Sequence, residues 1–383
     1  MIFEEQLLGV LSENRVNVLL TNPCARLQTI LNLLSETDEF DVLEITREEH
    51  GVGIAAGAYM AGMKPAMLIQ STGIGNILNT IASLTLTYQF PLLIIASWRG
   101  VIDEPIAAQN IFGRAVEKLL TALKIETHII DENSDISTFK EKILEVYVQR
   151  KVLVLLCSPR VWTKSQDMYS EKTFEVSHPK HYQEEVKQKN SNVNPSMTRI
   201  DVFKDLTDNM TKKDLIIANI GFPARELYHV NDQSHFFYMT GSFGQVSAIG
   251  IGIARYQPNK QIYVLEGDGS MLMSPGILPM IAAYSPNNLT IICLNNGSYG
   301  STGNQPTLYN LGFIDFRIVT HGFGFQPSKI INISDRSDLM KLLPNLSDYQ
   351  FIQIFIRPLN AEVGKIPLTP KEIGDRFMNS ISD

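Results

Sequence analysis

The chain has 383 residues, 44% of them hydrophobic, which is enough for two domains with apolar cores. Its formal net charge is −7 and it has no Lys/Arg-rich block, which argues against nucleic-acid binding. The three cysteines, Cys24, Cys157 and Cys293, are far apart, so we expect neither a disulfide framework nor a structural zinc site. The first residues lack a basic leader and the apolar runs are too short to span a bilayer, so we expect a cytoplasmic protein without a membrane partner.

The first half alternates short apolar runs with amphipathic stretches. Its apolar runs predict strands at 16–20, 41–46, 66–70, 92–97, 127–130 and 152–157. The stretches between them predict helices at 25–34, 48–61, 77–87, 113–123 and 136–149. Continuous apolar strands separated by helices are typical of a parallel sheet covered on both faces.

The second half repeats this scheme, with no repeat at the level of residues. Six further strands are predicted, at 215–219, 236–240, 262–266, 289–294, 330–333 and 351–356. The polar stretch at 160–195 lacks apolar periodicity and reads as a linker, or alternatively as a long functional loop. We therefore predict domains at 1–159 and 196–383 on either side of it.

The strongest motif lies at the ends of two predicted strands. Gly-Asp-Gly at 267–269 follows one strand, and after twenty-five intervening residues Asn295-Asn296 follows the next. In a parallel sheet both ends lie at the edge where open α/β sheets bind ligands. Glycine allows backbone N–H groups to approach phosphate oxygens, and Asp268 and Asn296 offer the oxygen ligands that Mg²⁺ prefers. Each of the two motifs alone is a common turn, but together they predict a metal–diphosphate site.

This spacing resembles the signature of the thiamine-diphosphate-dependent decarboxylases. The resemblance implies that Mg²⁺ is bound by Asp268, Asn296 and the backbone carbonyl of Ser298. It also implies coenzyme contacts from the neighbouring loop residues Gly267, Gly269, Ser270 and Tyr299. The expected fold is α/β, with two doubly wound parallel-sheet domains of the thiamine-diphosphate-binding fold, one for the pyrimidine and one for the diphosphate, and no middle domain.

A glutamate follows the predicted strand 41–46 in the way that this family requires. Glu48 precedes a run of small residues that begins at Gly53, and the resemblance places it beside the pyrimidine ring as the catalytic carboxyl. Glu49 is the alternative in register. An acidic residue at a helix start also has a purely structural explanation, because the N-terminal end of a helix favours negative charge.

A glycine-rich turn follows the predicted strand 236–240. The resemblance assigns coenzyme contacts to Gly241 and Ser242. It assigns to Phe243 the large apolar side chain that separates the two rings of the coenzyme. The family commonly has an aliphatic or Met side chain there, so Phe departs from the pattern.

The compact layout resembles the sulfopyruvate and phosphonopyruvate decarboxylases. Residues 107–114 are more similar to the former and residues 103–105 to the latter. We favour non-oxidative decarboxylation of 3-sulfopyruvate to sulfoacetaldehyde and CO₂, in coenzyme M biosynthesis of a methanogen, by a fusion of two subunits often found separate. Phosphonopyruvate is the alternative substrate, and a non-catalytic coenzyme-binding subunit is the alternative of another class.

A 2-oxo acid with a second acidic group requires positive charge and several donors. We expect Arg99 first, because its planar fork suits oxyanions, and then His50, which we also predict to be catalytic beside Glu48. Further substrate donors are predicted at Gln70, Asn76, Gln109 and Arg114. Because the pyrimidine and diphosphate halves must face each other, the resemblance implies a homodimer or homotetramer with sites between subunits.

Overall fold

The computed structural model describes residues 1–163, 195–284 and 287–382, which divide into two compact units. The first contains Met1–Tyr59 and Met63–His181, and the second contains Met60–Gly62 and Tyr182–Asp383. Most of the predicted linker, 164–194, lies outside the described residues. The proposed domain boundaries stay a prediction. Among the described helices, none combines the length and apolar character that crossing a membrane requires.

The first unit contains one six-stranded parallel sheet. Its strands are β1 (Val18–Thr21), β2 (Asp41–Glu44), β3 (Pro65–Gln70), β4 (Leu92–Ser97), β5 (Glu126–Ile130) and β6 (Val152–Cys157). They are arranged in the order β2-β1-β3-β4-β6-β5, and every neighbouring pair is parallel. Strands β4 and β6 are buried at every residue, which explains their uninterrupted apolar sequences.

Helices cover this sheet. They are α1 (Phe3–Glu13), α2 (Gln28–Ser35), α3 (Glu48–Met60), α4 (Ile74–Thr80), α5 (Leu86–Tyr88), α6 (Ala107–Ala122) and α7 (Lys140–Val148). A π-helical turn at Ile81–Thr85 joins α4 to α5. Helix α3 is apolar and composed largely of small residues, which lets it lie buried instead of presenting one polar face.

The second unit contains another six-stranded parallel sheet and a small hairpin. Its strands are β7 (Asp214–Ala218), β8 (Phe236–Tyr238), β9 (Gln261–Gly267), β10 (Leu289–Asn295), β11 (Ser298–Tyr299), β12 (Gln305–Pro306), β13 (Ile330–Ile333) and β14 (Phe351–Phe355). The sheet order is β13-β14-β10-β9-β7-β8, and β11 pairs with β12 in antiparallel fashion. The helices are α8 (Arg199–Thr207), α9 (Phe222–Val230), α10 (Val246–Tyr256), α11 (Asp268–Met273), α12 (Ile277–Tyr284), α13 (Phe316–Gly322), α14 (Arg336–Leu342) and α15 (Pro370–Ser382).

The two sheets have the same topology. Numbered by chain order within its own unit, each sheet runs 2-1-3-4-6-5, read from opposite ends. All twelve predicted strands and the α/β fold class are confirmed, as is the duplication at the level of fold. In each sheet the first and third strands are neighbours, and the chain leaves them in opposite directions. The crevice at the carboxyl ends of such strands is where open α/β sheets bind ligands.

Candidate active-site residues in the two units

Glu48 is a buried carboxylate held by two amide side chains. It is the first residue of α3, directly beyond β2, and only 6% of its surface is exposed. Asn22 donates from Nδ2 to Oε1 over 3.0 Å, and Asn76 donates from Nδ2 to Oε2 over 2.9 Å. Each oxygen therefore has a neutral donor, which offsets the cost of burying the carboxylate without fixing it to a cation.

Gly73 leaves the space that this carboxylate occupies. A Cβ atom at Gly73 would stand 2.5 Å from Oε1 of Glu48, so any larger residue would displace the side chain. Asn22 follows β1, Glu48 follows β2, and Gly73 and Asn76 follow β3. The three strands are adjacent, so the carboxylate lies at the crevice of the first sheet.

Glu49 has a different environment from Glu48. Its Oε1 accepts a hydrogen bond of 2.9 Å from Thr80 Oγ1, and its Oε2 lies 3.4 Å from Nε of Arg47, a largely exposed side chain. Glu49 is thus paired with an arginine on the surface of the unit. The geometry favours Glu48 over Glu49 as the catalytic carboxyl.

His50 is a buried imidazole. The side chain is 2% exposed, and its Nδ1 lies 3.0 Å from Thr46 Oγ1. Burial, assisted by the nearby charge of Arg47, lowers the pKa of His50 to about 4. The ring is therefore neutral at pH 7, which disfavours the expectation that it supplies positive charge to the substrate. Its predicted catalytic role stays a prediction, now as a neutral hydrogen-bonding group.

Arg99 is already paired with a carboxylate. Its Nε and Nη2 each donate over 2.7 Å to the two oxygens of Glu104, a bidentate pair in which 10% and 1% of the respective side chains are exposed. The pair lowers the pKa of Glu104 to about 2 and raises that of Arg99. The side-chain atom left for an anion is Nη1, whose recorded contact is with Cys24 Sγ at 4.0 Å. Arg99 therefore offers directed donors with little net charge.

The other predicted substrate residues of the first unit lie in varied environments. Gln70 donates to the hydroxyl of Thr72. Asn76 donates from Nδ2 to Glu48 and is otherwise exposed on α4, so its predicted contact with the substrate stays a prediction. Oε1 of Gln109 is buried and has no hydrogen-bond partner among the described residues. Arg114 is exposed on α6.

In the second unit, Asp268 is the buried carboxylate at the carboxyl end of β9. It begins α11, is 2% exposed, and its Oδ2 accepts a hydrogen bond of 2.5 Å from Thr307 Oγ1. Burial raises the pKa of Asp268, although the Thr307 hydroxyl opposes the shift. A divalent cation would stabilise the charged form of this carboxylate.

The loop after β10 supplies the other predicted metal ligands. Oδ1 of Asn296 accepts the backbone N–H of Ser298 over 3.1 Å, and Oδ1 of Asn295 accepts that of Gly297 over 3.1 Å. Two buried polar atoms, Asn295 Nδ2 and Ser298 Oγ, have no hydrogen-bond partner within the described part of the chain. Gly297 has φ +64°, a left-handed conformation that makes this tight turn accessible.

Two glycines shape the space around Asp268. A Cβ at Gly269 would stand 2.4 Å from Cε1 of Tyr299, so the tyrosine ring packs directly against the backbone of α11. A Cβ at Gly267 would have only Asn219 Nδ2 within 4 Å, at 3.8 Å, so the backbone there faces open space. Ser270 is 1% exposed on the same helix.

These residues fit a magnesium–diphosphate group. No group of three or more His, Cys, Asp or Glu side chains suited to a metal occurs in the described ranges. One carboxylate, one amide oxygen and one backbone carbonyl form an incomplete set that a diphosphate would complete, as Mg²⁺ commonly requires. The unpartnered polar atoms and the open backbone at Gly267 agree with a polar ligand at this point.

The Gly241–Gly244 turn adopts an unusual backbone conformation. Ser242 has φ +58° and Gly244 has φ +90°, and a Cβ at Gly244 would stand 2.6 Å from Ser274 Oγ. The neighbouring Phe243 is 36% exposed although Ser242 is buried. The turn therefore presents a large apolar side chain at the sheet edge, and the role of Phe243 between the coenzyme rings stays a prediction.

Glu266 was not predicted from the sequence. It is 1% exposed in β9 and accepts hydrogen bonds from Ser247 Oγ (2.8 Å), Asn219 Nδ2 (3.1 Å) and the Gly267 backbone (3.1 Å). Burial raises its pKa to about 7. An acidic residue inside an otherwise apolar strand was the available signal. Thr307, the donor to Asp268, lies thirty-nine residues away in the chain and gave none.

Comparisons with known proteins identify the family. Models described as the N-terminal and C-terminal TPP binding domains of thiamine pyrophosphate enzymes match residues 1–120 and 217–343. A sulfopyruvate decarboxylase of Methanosarcina acetivorans is 35% identical over 381 residues, which cover 99% of this chain and 97% of the relative. The chain belongs to this family of thiamine-diphosphate-dependent decarboxylases.

Other members of the family match the whole chain or its halves. A phosphonopyruvate decarboxylase of Streptomyces viridochromogenes is 27% identical over 362 residues, covering 93% of this chain and 89% of the relative. The separate beta and alpha subunits of a Methanocaldococcus jannaschii sulfopyruvate decarboxylase are 34% identical over 183 residues and 44% identical over 120 residues. They cover 48% and 31% of this chain, and 96% and 71% of the respective subunits. This chain thus corresponds to a fusion of two such subunits.

A solved structure shows the same fold. Benzoylformate decarboxylase from Polynucleobacter necessarius superposes with a TM-score of 0.71 at 13% identity, covering 94% of this chain and 99% of that chain. At this identity the likeness concerns the fold alone.

The buried, neutral His50 predicts a pH dependence of stability. Its pKa is lowered from 6.5 to about 4 in the folded chain, so below pH 6.5 the unfolded chain binds a proton that the folded chain does not. The contribution of neutral His50 to the free energy of unfolding is therefore complete above pH 6.5. It decreases as the pH falls towards 4, by up to about 3 kcal/mol. Urea unfolding of the wild type and His50→Asn at pH 7 and pH 4.5 would measure this. We expect a smaller loss in the variant.

His229→Asn is the matched control, because His229 is exposed on α9. That variant should keep the wild-type pH dependence of the unfolding free energy. Equal losses in all three proteins would show that His50 does not cause the effect.

Proposed function

We propose that this chain catalyses the non-oxidative decarboxylation of 3-sulfopyruvate to sulfoacetaldehyde and CO₂. The observation that carries the proposal is its similarity, over nearly the full length, to a protein named sulfopyruvate decarboxylase. Phosphonopyruvate is the second candidate substrate, because a phosphonopyruvate decarboxylase also matches nearly the whole chain at lower identity.

The described side chains support a division of labour between the two units. Thiamine diphosphate, when bound, supplies an electron sink for the electron pair left when CO₂ departs. Asp268, Asn296 and the Ser298 carbonyl would hold Mg²⁺ and through it the diphosphate. Glu48 would hold a proton next to the pyrimidine ring, and its two amide donors would keep the carboxyl group in one orientation.

Arg99 is the group that we assign to the second acidic group of the substrate. Two contacts join Arg99 to the loops that also carry the residues around Glu48. The backbone N–H of Arg99 donates to Ser71 Oγ over 2.9 Å, two residues before Gly73, and its Nη1 faces Cys24, two residues after Asn22. A sulfonate at Nη1 would accept a charge-assisted hydrogen bond from a guanidinium group that Glu104 already orients.

The alternative of a non-catalytic coenzyme-binding subunit has less support. One chain contains both the buried Glu48 and the buried Asp268, each with hydrogen bonds that hold it in place. A chain that had lost catalysis would have no need to keep both groups.

The wider setting is also part of the proposal. We infer a cytoplasmic homo-oligomer with Mg²⁺-dependent sites between subunits, in coenzyme M biosynthesis of a methanogen. Relatives that consist of separate alpha and beta subunits support an association between the two kinds of domain.

The role of the catalytic carboxyl can be tested by substitution. Glu48→Gln keeps the size and most hydrogen-bonding capacity of the side chain but removes its ability to exchange a proton. We expect the rate of CO₂ release from sulfopyruvate, with thiamine diphosphate and Mg²⁺, to fall by about 100-fold or more. Glu49→Gln is the matched control in the neighbouring position and should stay within about threefold of the wild type, since surface ion pairs contribute little.

The choice of substrate is tested in the same assay. Sulfopyruvate, phosphonopyruvate and pyruvate are supplied separately and CO₂ is followed. Release mainly from sulfopyruvate, lost in Glu48→Gln, supports the proposal. Release mainly from phosphonopyruvate would keep the chemistry and overturn the substrate. No release from any of the three by a protein that binds the coenzyme would contradict the decarboxylase assignment.

The role of Arg99 can be tested in the same assay. Removing it alone would leave Glu104 buried and unpaired, so the informative variant is Arg99→Gln/Glu104→Gln, which removes both charges. We expect KM for sulfopyruvate to rise by about 10-fold to 100-fold with a smaller change in kcat, because one charge-assisted hydrogen bond is lost. The exposed Arg114→Gln serves as comparison. A raised KM in that variant, with the double variant unchanged, would assign the anion to Arg114 instead.

A further inference from the structure

A buried ion pair in the second unit has no role in the chemistry described so far. Arg199, at the start of α8, places Nη1 2.9 Å from Oε1 of Glu226 on α9, and the two residues are 4% and 1% exposed. Such a pair is weak support for stability, because desolvation of the two charges offsets much of their attraction. Its position therefore requires another explanation.

The pair connects to the segment that follows β14. Oε1 of Glu226 also accepts the backbone N–H of Ala361 over 3.0 Å. Nη1 of Arg199 donates to Oδ1 of Asn360 over 3.4 Å. The two charges together hold Asn360 and its neighbour in place.

Asn360 in turn contacts the loop of the β11–β12 hairpin. Its Nδ2 donates to the carbonyl of Gly300 over 2.8 Å. A Cβ at Gly300 would stand 2.7 Å from Oδ1 of Asn360, so the amide lies against the glycine backbone with no space for a side chain. The next residue, Ser301, packs its hydroxyl against Gly221, where a Cβ would stand 2.5 Å away.

This loop is adjacent to the predicted metal ligands. Gly300 follows Ser298, whose carbonyl is assigned to Mg²⁺, and Tyr299, whose ring packs on Gly269. The same cluster thus reaches the metal site through the backbone of the hairpin.

We infer that Arg199, Glu226 and Asn360 form a brace that positions the hairpin for metal binding and thereby sets the affinity for Mg²⁺. This inference rests on the proposed function, because it takes the metal–diphosphate group to lie at Asp268 and Ser298. Asn360 is a positioning residue that acts on the Gly300 carbonyl. Groups of this kind, which orient metal ligands without contacting the metal, commonly change metal affinity by about 10-fold to 100-fold.

The test measures Mg²⁺ binding by the full-length chain at saturating thiamine diphosphate, by isothermal titration calorimetry. Asn360→Ala should raise the Kd for Mg²⁺ by about 10-fold or more. The matched control is Asn288→Ala. Asn288 belongs to the same unit and donates its amide to the carbonyls of Ala254, Gln257 and Lys260, over 3.2, 3.0 and 2.9 Å, away from the hairpin. That control should lower Tm and leave the Kd unchanged.

Gly300→Ala disturbs the contact between Asn360 and the Gly300 backbone without changing Asn360 or the ion pair. It is the test of the inference if Asn360→Ala does not fold. It should also raise the Kd. A wild-type Kd in either folded variant, or an equal rise in Asn288→Ala, would overturn the brace. A wild type that binds Mg²⁺ and coenzyme but releases no CO₂ from sulfopyruvate would instead overturn the proposed function and leave the brace standing.

Discussion

The organisation of both units depends on burying carboxylates at the carboxyl ends of parallel strands, largely without cations beside them. A buried carboxylate is stable only if neighbouring groups donate hydrogen bonds to it. Asn22 and Asn219 each directly follow the first strand of their sheet, and each donates its amide to a buried glutamate, Glu48 or Glu266. Several loops converge at this edge of a sheet, so the donors can be gathered there.

The same topology supports two different kinds of chemistry. In the first unit, amide donors hold Glu48, and no group of three or more His, Cys, Asp or Glu side chains suited to a metal surrounds it among the described residues. In the second, Asp268 follows β9, and the loop after the neighbouring strand β10 carries amide and carbonyl oxygens. Together these oxygens are a set of ligands suited to a divalent cation. Burial raises the pKa of Asp268, and a cation would reverse that shift by stabilising the charged form. The proposed function thereby assigns proton handling and metal binding to separate copies of one fold.

The strands could be predicted from the sequence because buried parallel strands consist of continuous apolar residues, as in β4 and β6. The sequence indicated Asp268 through two motifs that follow predicted strands, and Glu48 through the resemblance to the family. It did not predict their partners. Asn76 is twenty-eight residues from Glu48 and Thr307 thirty-nine from Asp268, and such contacts depend on side-chain directions that only the packed structure defines. The pairing of Arg99 with Glu104 was missed for the same reason, although the two are five residues apart.

The groups assigned to function share one physical property, which is that a second side chain fixes their orientation. Glu48 is held by amides, Arg99 by a bidentate carboxylate, and the backbone at Gly300 by Asn360. An arginine side chain carries about 2 kcal/mol of rotamer entropy, and ordering it within the folded chain removes that cost from ligand binding. The same pairing with Glu104 cancels most of the positive charge of Arg99. Recognition of an acidic substrate at this position must therefore depend on directed hydrogen bonds more than on net charge.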